Sequence, residues 1–411
     1  MQLLDKRLVT ILMIVLVQMI GASMALPILP LYAKRQFDLS PEVITLLISI
    51  FFAAQFLAGP IIGRLSDHYG RLPVLIISQL GTIISFAMLG LAPSPAWLFV
   101  ARVLDGITGG NIIVAQAYVT DITPREQRTQ ALGYVFAAFG VGFIIGPALG
   151  GVLAALFGER MPFLIAALAA LLTVLLTVFT LDESLSPEQK ATNQTGDKRQ
   201  MRPRQVLSNF PLVLILLVSF VSTFGLGLLQ ATFALFGEAV LFAGDNEQTT
   251  NLGIGLLLAM VGFGQVFTQT LLLGRLLKRF DEGVLIVLGL GLRMVSMFGL
   301  VVALSPFVAA PATLFFAVGG GILLPPLQSM ATNTVGEHLR GGVLGLYQSS
   351  RSLATIISTA LGGTLFAITP TAPYWLSAVL FGASLVPAIY LMRWAQAHAT
   401  SSPEVASAAT D

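Results

Sequence analysis

LVTILMIVLVQMIGASMALPILPLY, residues 8–32, runs for 25 positions without a charged side chain, and its reading decides the fold. The hydrocarbon core of a bilayer is about 30 Å thick, so a helix of about 20 mostly apolar residues crosses it. Lys6 and Arg7 precede the stretch as they would in a secretory leader. It is longer than a leader's apolar core, and no small-residue cleavage pattern follows at the right distance, so it reads as a first membrane span. Outward from it, similar runs fall near 43–63, 73–92, 97–120, 130–157, 161–181, 209–236, 250–273, 283–304, 310–333, 341–368 and 372–393. In lipid every backbone polar group must be satisfied internally, which leaves the helix as the form for such runs. The expected fold class is an all-α membrane protein of twelve transmembrane helices.

Composition agrees. The 411 residues are 55% hydrophobic and 10% charged, with a mean hydropathy of +0.86. Soluble domains carry about 25% charged residues. The 40 Gly and 21 Pro suit membrane helices, where small residues allow close approach and neighbours re-satisfy broken backbone bonds. A net charge of +2 gives no reason to expect nucleic acid. Without Cys, and with His68, His338 and His398 far apart, there is no disulfide, thiol nucleophile or metal-ligand spacing. No G-x-x-x-x-G-K-[ST] loop is present, so ATP is not the expected energy source. No cofactor is expected.

Most connections are short. The exception is the polar stretch 182–208, which reads as a linker between an N-terminal half, 1–181, and a C-terminal half, 209–394, with a tail at 395–411. Of the 22 Lys and Arg, only Lys34, Arg35 and Arg160 fall on the side opposite the termini. Arg102, Arg293 and Arg351 fall inside spans, and the other sixteen fall on the side of the termini. The bias of Lys and Arg towards the cytoplasm then predicts cytoplasmic termini and a cytoplasmic linker. The halves also repeat. Gly133, Gly150, Gly151, Asp121 and Arg128 return 212 residues later as Gly345, Gly362, Gly363, Asn333 and Arg340. Gly63-Arg64-Leu65 returns as Gly274-Arg275-Leu276 at an offset of 211. The pattern predicts two pseudo-symmetric six-helix bundles, an arrangement that places a transport site at their interface.

The loop after the second span reads Gly63-Arg64-Leu65-Ser66-Asp67-His68-Tyr69-Gly70-Arg71. It resembles the hallmark loop of the major facilitator superfamily, G-x-L-x-D-x-x-G-R. His68 and Pro73 stand where the family often has basic residues. The resemblance implies a cytoplasmic gate in which Asp67 and Arg71 pair, with Asp121 and Arg125 in the same cluster and Gly63 and Gly70 turning the chain. A positive-inside topology signal alone is the alternative. The fifth span carries Gly133, Gly142, Gly146-Pro147-Ala148-Leu149-Gly150-Gly151. This resembles the superfamily's antiporter motif, which implies export. Its glycines would pack closely and Pro147 would bend the helix. Ordinary small-residue packing is the plainer reading.

The fourth span holds Arg102 and Asp105 three residues apart on one helix face. The family has R-x-x-x-G here, matched by Arg102 and Gly106. Each ion offsets the other's cost of burial. Asp105 is the proton-coupling candidate with Arg102 as its modulator, and a fixed structural ion pair is the alternative. The first span, with Pro27 and Pro30, resembles that of tetracycline and multidrug exporters. Those commonly have Asp where Gln18 stands, and an amide cannot carry a proton. Candidate substrate-cavity residues are Gln18, Gln55, Asn111, Gln116, Gln230, Gln265, Gln328, Tyr347 and Arg351, amides and polar groups scattered through apolar spans. Arg351 could meet an anionic substrate group, Asp105 or backbone carbonyls, whereas Arg293 reads as structural.

The resemblance thus implies a monomeric secondary transporter of the cytoplasmic membrane, not an enzyme. It would export small amphipathic or drug-like compounds against inward proton movement, with protons, substrate and lipid as its partners. A nutrient-importing symporter or facilitator, or a lipid-handling membrane protein, is the alternative.

Overall fold

The structure is a computed structural model. It describes residues 6–109, 111–124, 127–185, 209–336 and 339–399, without the side chains of Asn111, Thr129, His398 and Ala399. Twelve helices are long and apolar enough to cross a membrane. They are α1 (Lys6–Phe37), α2 (Pro41–Tyr69), α3 (Arg71–Gly90), α4 (Pro95–Ile122), α5 (Gln130–Phe157), α6 (Met161–Thr180), α7 (Phe210–Leu241), α8 (Glu247–Leu276), α9 (Glu282–Val301), α10 (Pro306–Asn333), α11 (Arg340–Ile368) and α12 (Ala372–Ala397). No strand occurs among the described residues. The helices α1, α2, α7 and α12 run four to six residues past the ends of their apolar stretches. Below, the end of the molecule at Lys6 is the first face and the end at Phe37 the second.

By contact the chain divides into two compact units. One is Met1–Asp197 with Gln230–Phe263 and Thr359–Pro370; the other is Lys198–Leu229 with Gly264–Ser358 and Thr371–Asp411.

In the first unit, α5 is the packing centre. Gly142, Gly146 and Gly150 recur every four residues and so share one face of α5. That face lies on α1. A Cβ at Gly142 would stand 2.5 Å from the Met19 Cβ, one at Gly150 would stand 2.7 Å from the Met24 carbonyl oxygen, and one at Gly146 would run into Ser23. Ser23 Oγ crosses the seam to donate to the Gly142 carbonyl at 2.9 Å. A second face of α5 lies on the start of α8. A Cβ at Gly151 would stand 2.6 Å from the Asn251 carbonyl oxygen, and one at Gly255 the same distance from the Pro147 carbonyl oxygen. Pro147 has no N–H, so the carbonyl of Phe143, four residues back, loses its helical donor. That carbonyl faces Gly262, where a Cβ would stand 2.7 Å from it. Gly133, by contrast, meets nothing within 4 Å, and neither does Gly63.

Apolar clusters fill the rest of this unit. Ile28, Tyr32, Phe86, Leu98 and Phe163 pack towards the second face, and Ile11, Ile14, Leu75, Tyr118 and Val135 towards the first. Near the second face Gly363 of α11 rests on Pro41 and Thr45 of α2, and its N–H donates to Thr45 Oγ1 at 2.9 Å. In the second unit α9 meets α10 at another glycine contact, where a Cβ at Gly289 would stand 2.7 Å from the Gly319 carbonyl oxygen.

Overpacking a tight core costs about 1–3 kcal/mol. Gly150→Val should therefore lower the thermal unfolding temperature of the purified protein by several degrees. Gly133→Ala should leave it unchanged or slightly raised, because alanine is the better helix former. Equal losses in the two variants would remove the packing role assigned to the α1–α5 seam.

Candidate functional site

Arg71 opens α3 directly after Gly70, whose φ of +114° is open to glycine and strained for other residues. The turn aims the Arg71 side chain inward, where it is 7% exposed. Its Nη1 donates to Asp67 Oδ1 at 2.7 Å and to Ser66 Oγ at 3.1 Å, and its Nε to Asp121 Oδ2 at 2.8 Å. The structure thus brings together Asp67, Arg71 and Asp121. Arg125 lies outside the described residues. Sequence reasoning missed Glu183. Its carboxylate accepts the backbone N–H of Arg71 at 2.9 Å and of Leu72 at 3.3 Å, capping the positive end of α3. Ser184 Oγ donates to Asp121 at 3.2 Å, and Asp182 pairs with Arg7 at 2.9 Å. The start of the polar connection is therefore bonded onto the first face. The available signal was an Asp-Glu-Ser run at the end of an apolar span.

Two turns into α4, Arg102 Nη1 meets Asp105 Oδ2 at 2.7 Å, with both residues 7% exposed. The Arg102 guanidinium also lies 4.1 Å from the centre of the Phe51 ring, and its Nε has no partner. The pair forms because i and i+3 share a helix face. It sits on the α2–α4 seam, where Gly106 comes close to the Phe51 carbonyl.

The cavity candidates divide between the units. Gln18, Gln55, Asn111, Gln116 and Gln230 belong to the first, and Gln265, Gln328, Tyr347 and Arg351 to the second. Gln55 Nε2 donates to the Gly109 carbonyl at 3.2 Å, which makes it a brace within the helix pair. Gln18 Nε2 is buried without a partner. The Asn111 side chain lies outside the description.

A second charged cluster was not anticipated. Arg35, at the second-face end of α1, pairs with Glu159 in the α5–α6 turn at 2.5 Å and with Glu238 at 2.7 Å. Lys34 also reaches Glu238, at 2.8 Å, and Arg35 donates to Asn251 at 3.2 Å. Glu238 stands on a π-helical turn, Gly237–Leu241, that ends α7. A cavity of about 600 Å³ opens beside the cluster, lined by Tyr32, Arg35, Gln36, Glu159, Arg160, Glu247, Gln248 and Asn251 among others. None of the amides expected to line a cavity is among its walls. The signal in the sequence was the exception to the charge bias: Lys34 and Arg35 stand together on the poorer side. Among the described residues no group of three or more His, Asp or Glu is placed to hold a metal ion.

The family model of the Major Facilitator Superfamily matches residues 11–245 and 239–409. The chain belongs to that superfamily. The chain is 30% identical over 409 residues to the class C tetracycline resistance protein of Escherichia coli, covering 96% of this chain and 99% of that one. It is 30% identical to multidrug resistance protein 2 of Bacillus subtilis (strain 168), covering 86% of each. Among solved structures, a peptide transporter POT superposes with a TM-score of 0.78 at 15% identity, over 95% of this chain and 94% of that one. That likeness is one of fold: twelve spans in two six-helix bundles of the major facilitator type. The chain is a multi-pass membrane transporter and not an enzyme.

Glu159 lies outside the spans, and its burial raises its pKa above the usual carboxylate range, with Arg35 acting against the rise. The folded pKa exceeds the unfolded value of about 4.3, so the folded state binds more protons in between. The stability from this group is full below the unfolded pKa and is lost as pH rises through the folded one. The difference in unfolding temperature between wild type and Glu159→Gln should therefore shift against the wild type as pH rises from about 4 towards neutrality. Differential scanning fluorimetry over that range checks it, and a pH-independent difference would contradict it.

Proposed function

We propose that the protein exports small amphipathic or drug-like compounds across the cytoplasmic membrane in exchange for protons, by alternating access between its two six-helix halves, 1–181 and 209–394. The observation that carries this reading is α5. Of its motif, Gly142, Gly146-Pro147 and Gly150-Gly151 are used in packing, on two faces at once, and Gly133 is not. In the family resemblance that pattern goes with export. Relatives over nearly the whole chain are named for tetracycline and multidrug resistance. The sequence reading of sixteen of 22 Lys and Arg on the side of the termini supports cytoplasmic termini. The first face is then the cytoplasmic gate, built on Asp67, Arg71 and Asp121.

Proton coupling in this reading belongs to Asp105. Gln18 cannot titrate, and Asp105 is the acid buried within a span beside a single cation, Arg102. A carboxylate so placed changes its proton affinity when burial or the partner's distance changes. A working cycle needs that. The amide-bearing spans and Tyr347 and Arg351 contribute the substrate cavity. The protein works as a monomer and carries no cofactor, with the proton gradient as its energy source.

The test uses proteoliposomes with an imposed pH gradient and a pH dye inside. Adding tetracycline or ethidium should release protons through the wild type, and Asp105→Asn should abolish that flux while leaving the fold intact. Cells expressing the protein should hold less ethidium than cells lacking it. Substrate movement without proton movement would reject coupling, and higher ethidium content in expressing cells would reverse the direction.

A further inference from the structure

The second unit buries two arginines with no acid beside either. Arg293, on α9, is 1% exposed, and Arg351, on α11, is half-buried. Phe210–Phe236, Pro306–Asn333, Arg340–Ile368 and Ala372–Ala397 contain no Asp or Glu. The one acid of α9, Glu282, stands at its start, three helical turns before Arg293. Among the described residues neither guanidinium makes an ion pair.

Arg293 is held by neutral groups. Its Nη1 donates to the Ser222 carbonyl at 2.8 Å and to Ser222 Oγ at 2.6 Å, and its guanidinium lies 4.3 Å from the centre of the Phe316 ring. Gly319 and Gly320 leave the room it occupies; a Cβ at Gly320 would run into its guanidinium. These contacts anchor α9 to α7 and α10, and Nε is left without a partner. Arg351 donates to Thr223 Oγ1 at 3.3 Å, and its guanidinium lies 5.9 Å from the Tyr347 ring centre. Arg293 and Arg351 thus bond neighbouring residues of α7, Ser222 and Thr223. Tyr347 and Ser219, 2% and 0% exposed, bury their hydroxyls. Neither makes a hydrogen bond of normal geometry.

The result is a buried patch with two like charges, two hydroxyls short of partners and no counterion. Leaving such charges uncompensated is unfavourable. A carboxylate or similar anion offsets both charges and matches the planar fork of an arginine. Anchoring accounts for Arg293. It does not account for Arg351, Tyr347 and Ser219. We propose that Arg351, Tyr347 and Ser219, backed by the charge of Arg293, form a subsite for the anionic oxygen group of a transported organic molecule. The proposal deepens the export reading and rests on it for the word transported.

The experiment measures equilibrium binding of three ring-matched probes to the full chain in nanodiscs, against empty nanodiscs, in sodium fluoride, which adds no carboxylate to compete with them. The probes are 1-naphthoate, its neutral amide 1-naphthamide, and 1-naphthylmethylammonium. Naphthoate should bind at least tenfold more tightly than the amide. Arg351→Gln should remove that preference by lowering naphthoate binding to the level of the amide, while Arg351→Lys keeps part of it. A residue with only a structural role would lower all three together. Equal binding of the probes, absent naphthoate binding, or an intact preference in Arg351→Gln overturns the subsite. Displacement of naphthoate by chloride at equal ionic strength assigns the patch to an inorganic ion and also overturns it. Ethidium accumulation in cells decides the export reading separately. Failure there with the naphthoate preference intact removes export and leaves the subsite standing.

Discussion

The rest of the first unit depends on one constraint: α5 lies against α1 and α8 with no side chain between the backbones at Gly142, Gly150 and Gly151. Lipid is as apolar as the helices, so there is little hydrophobic drive to hold two spans together. Dispersion at close approach has to do it, and a single Cβ at these positions would hold the helices apart. Pro147 fits the same constraint. The carbonyl it strips of a donor, that of Phe143, is turned to Gly262, where the two backbones approach closely.

Charges inside the spans obey a second constraint, and the three cases are solved differently. Arg102 has an acid one helical turn away. Arg71 shares Asp67 and Asp121 and sits at an aqueous face. Arg293 has a carbonyl, a hydroxyl and an aromatic ring, which solvate a cation without neutralising it. A charge on an insertion scale costs about 2.5–3.5 kcal/mol at a helix centre. A pair answers that cost within the protein. A cation left among neutral dipoles answers only part of it, and so leaves the site attractive to an anion.

What could be read from the sequence follows from the range of each interaction. The twelve spans depend on runs of about 20 residues, and all twelve are present. The Arg102–Asp105 pair depends on three residues of spacing and is present too. Asp67 and Arg71 are four residues apart. Glu183, by contrast, caps α3 from 112 positions away, and Arg35 meets Glu238 across 203. No local pattern carries those. The same holds for the glycines: the run in α5 named the helix, but not which glycines pack. Gly133 belongs to the motif and touches nothing, while Gly255 and Gly262 were in no motif and each meets a carbonyl oxygen of α5. Arg293 read as structural from its position alone; its lack of an acid became visible only when the neighbouring helices were known.

The clusters on the two faces are suited to different tasks. On the first face the bonds tie α2, α3, α4 and the start of the polar connection together. On the second face they tie α1 and the α5–α6 turn to the end of α7. Partly exposed ion pairs are each worth about 0–1 kcal/mol, because water competes for them. Several such pairs can hold an interface in register and still exchange for water without a large barrier. Glycine seams behave otherwise: a gap of 1 Å already forfeits much of their dispersion energy. A transporter that alternates between two packings needs contacts that are either fully made or fully lost, with weak polar bonds to set the balance. In the proposed cycle, the α5–α8 seam supplies the first kind and Arg35, Glu159 and Glu238 the second. Parting α7 from α1 at this face in that cycle requires breaking the pairs that Lys34 and Arg35 make with Glu238.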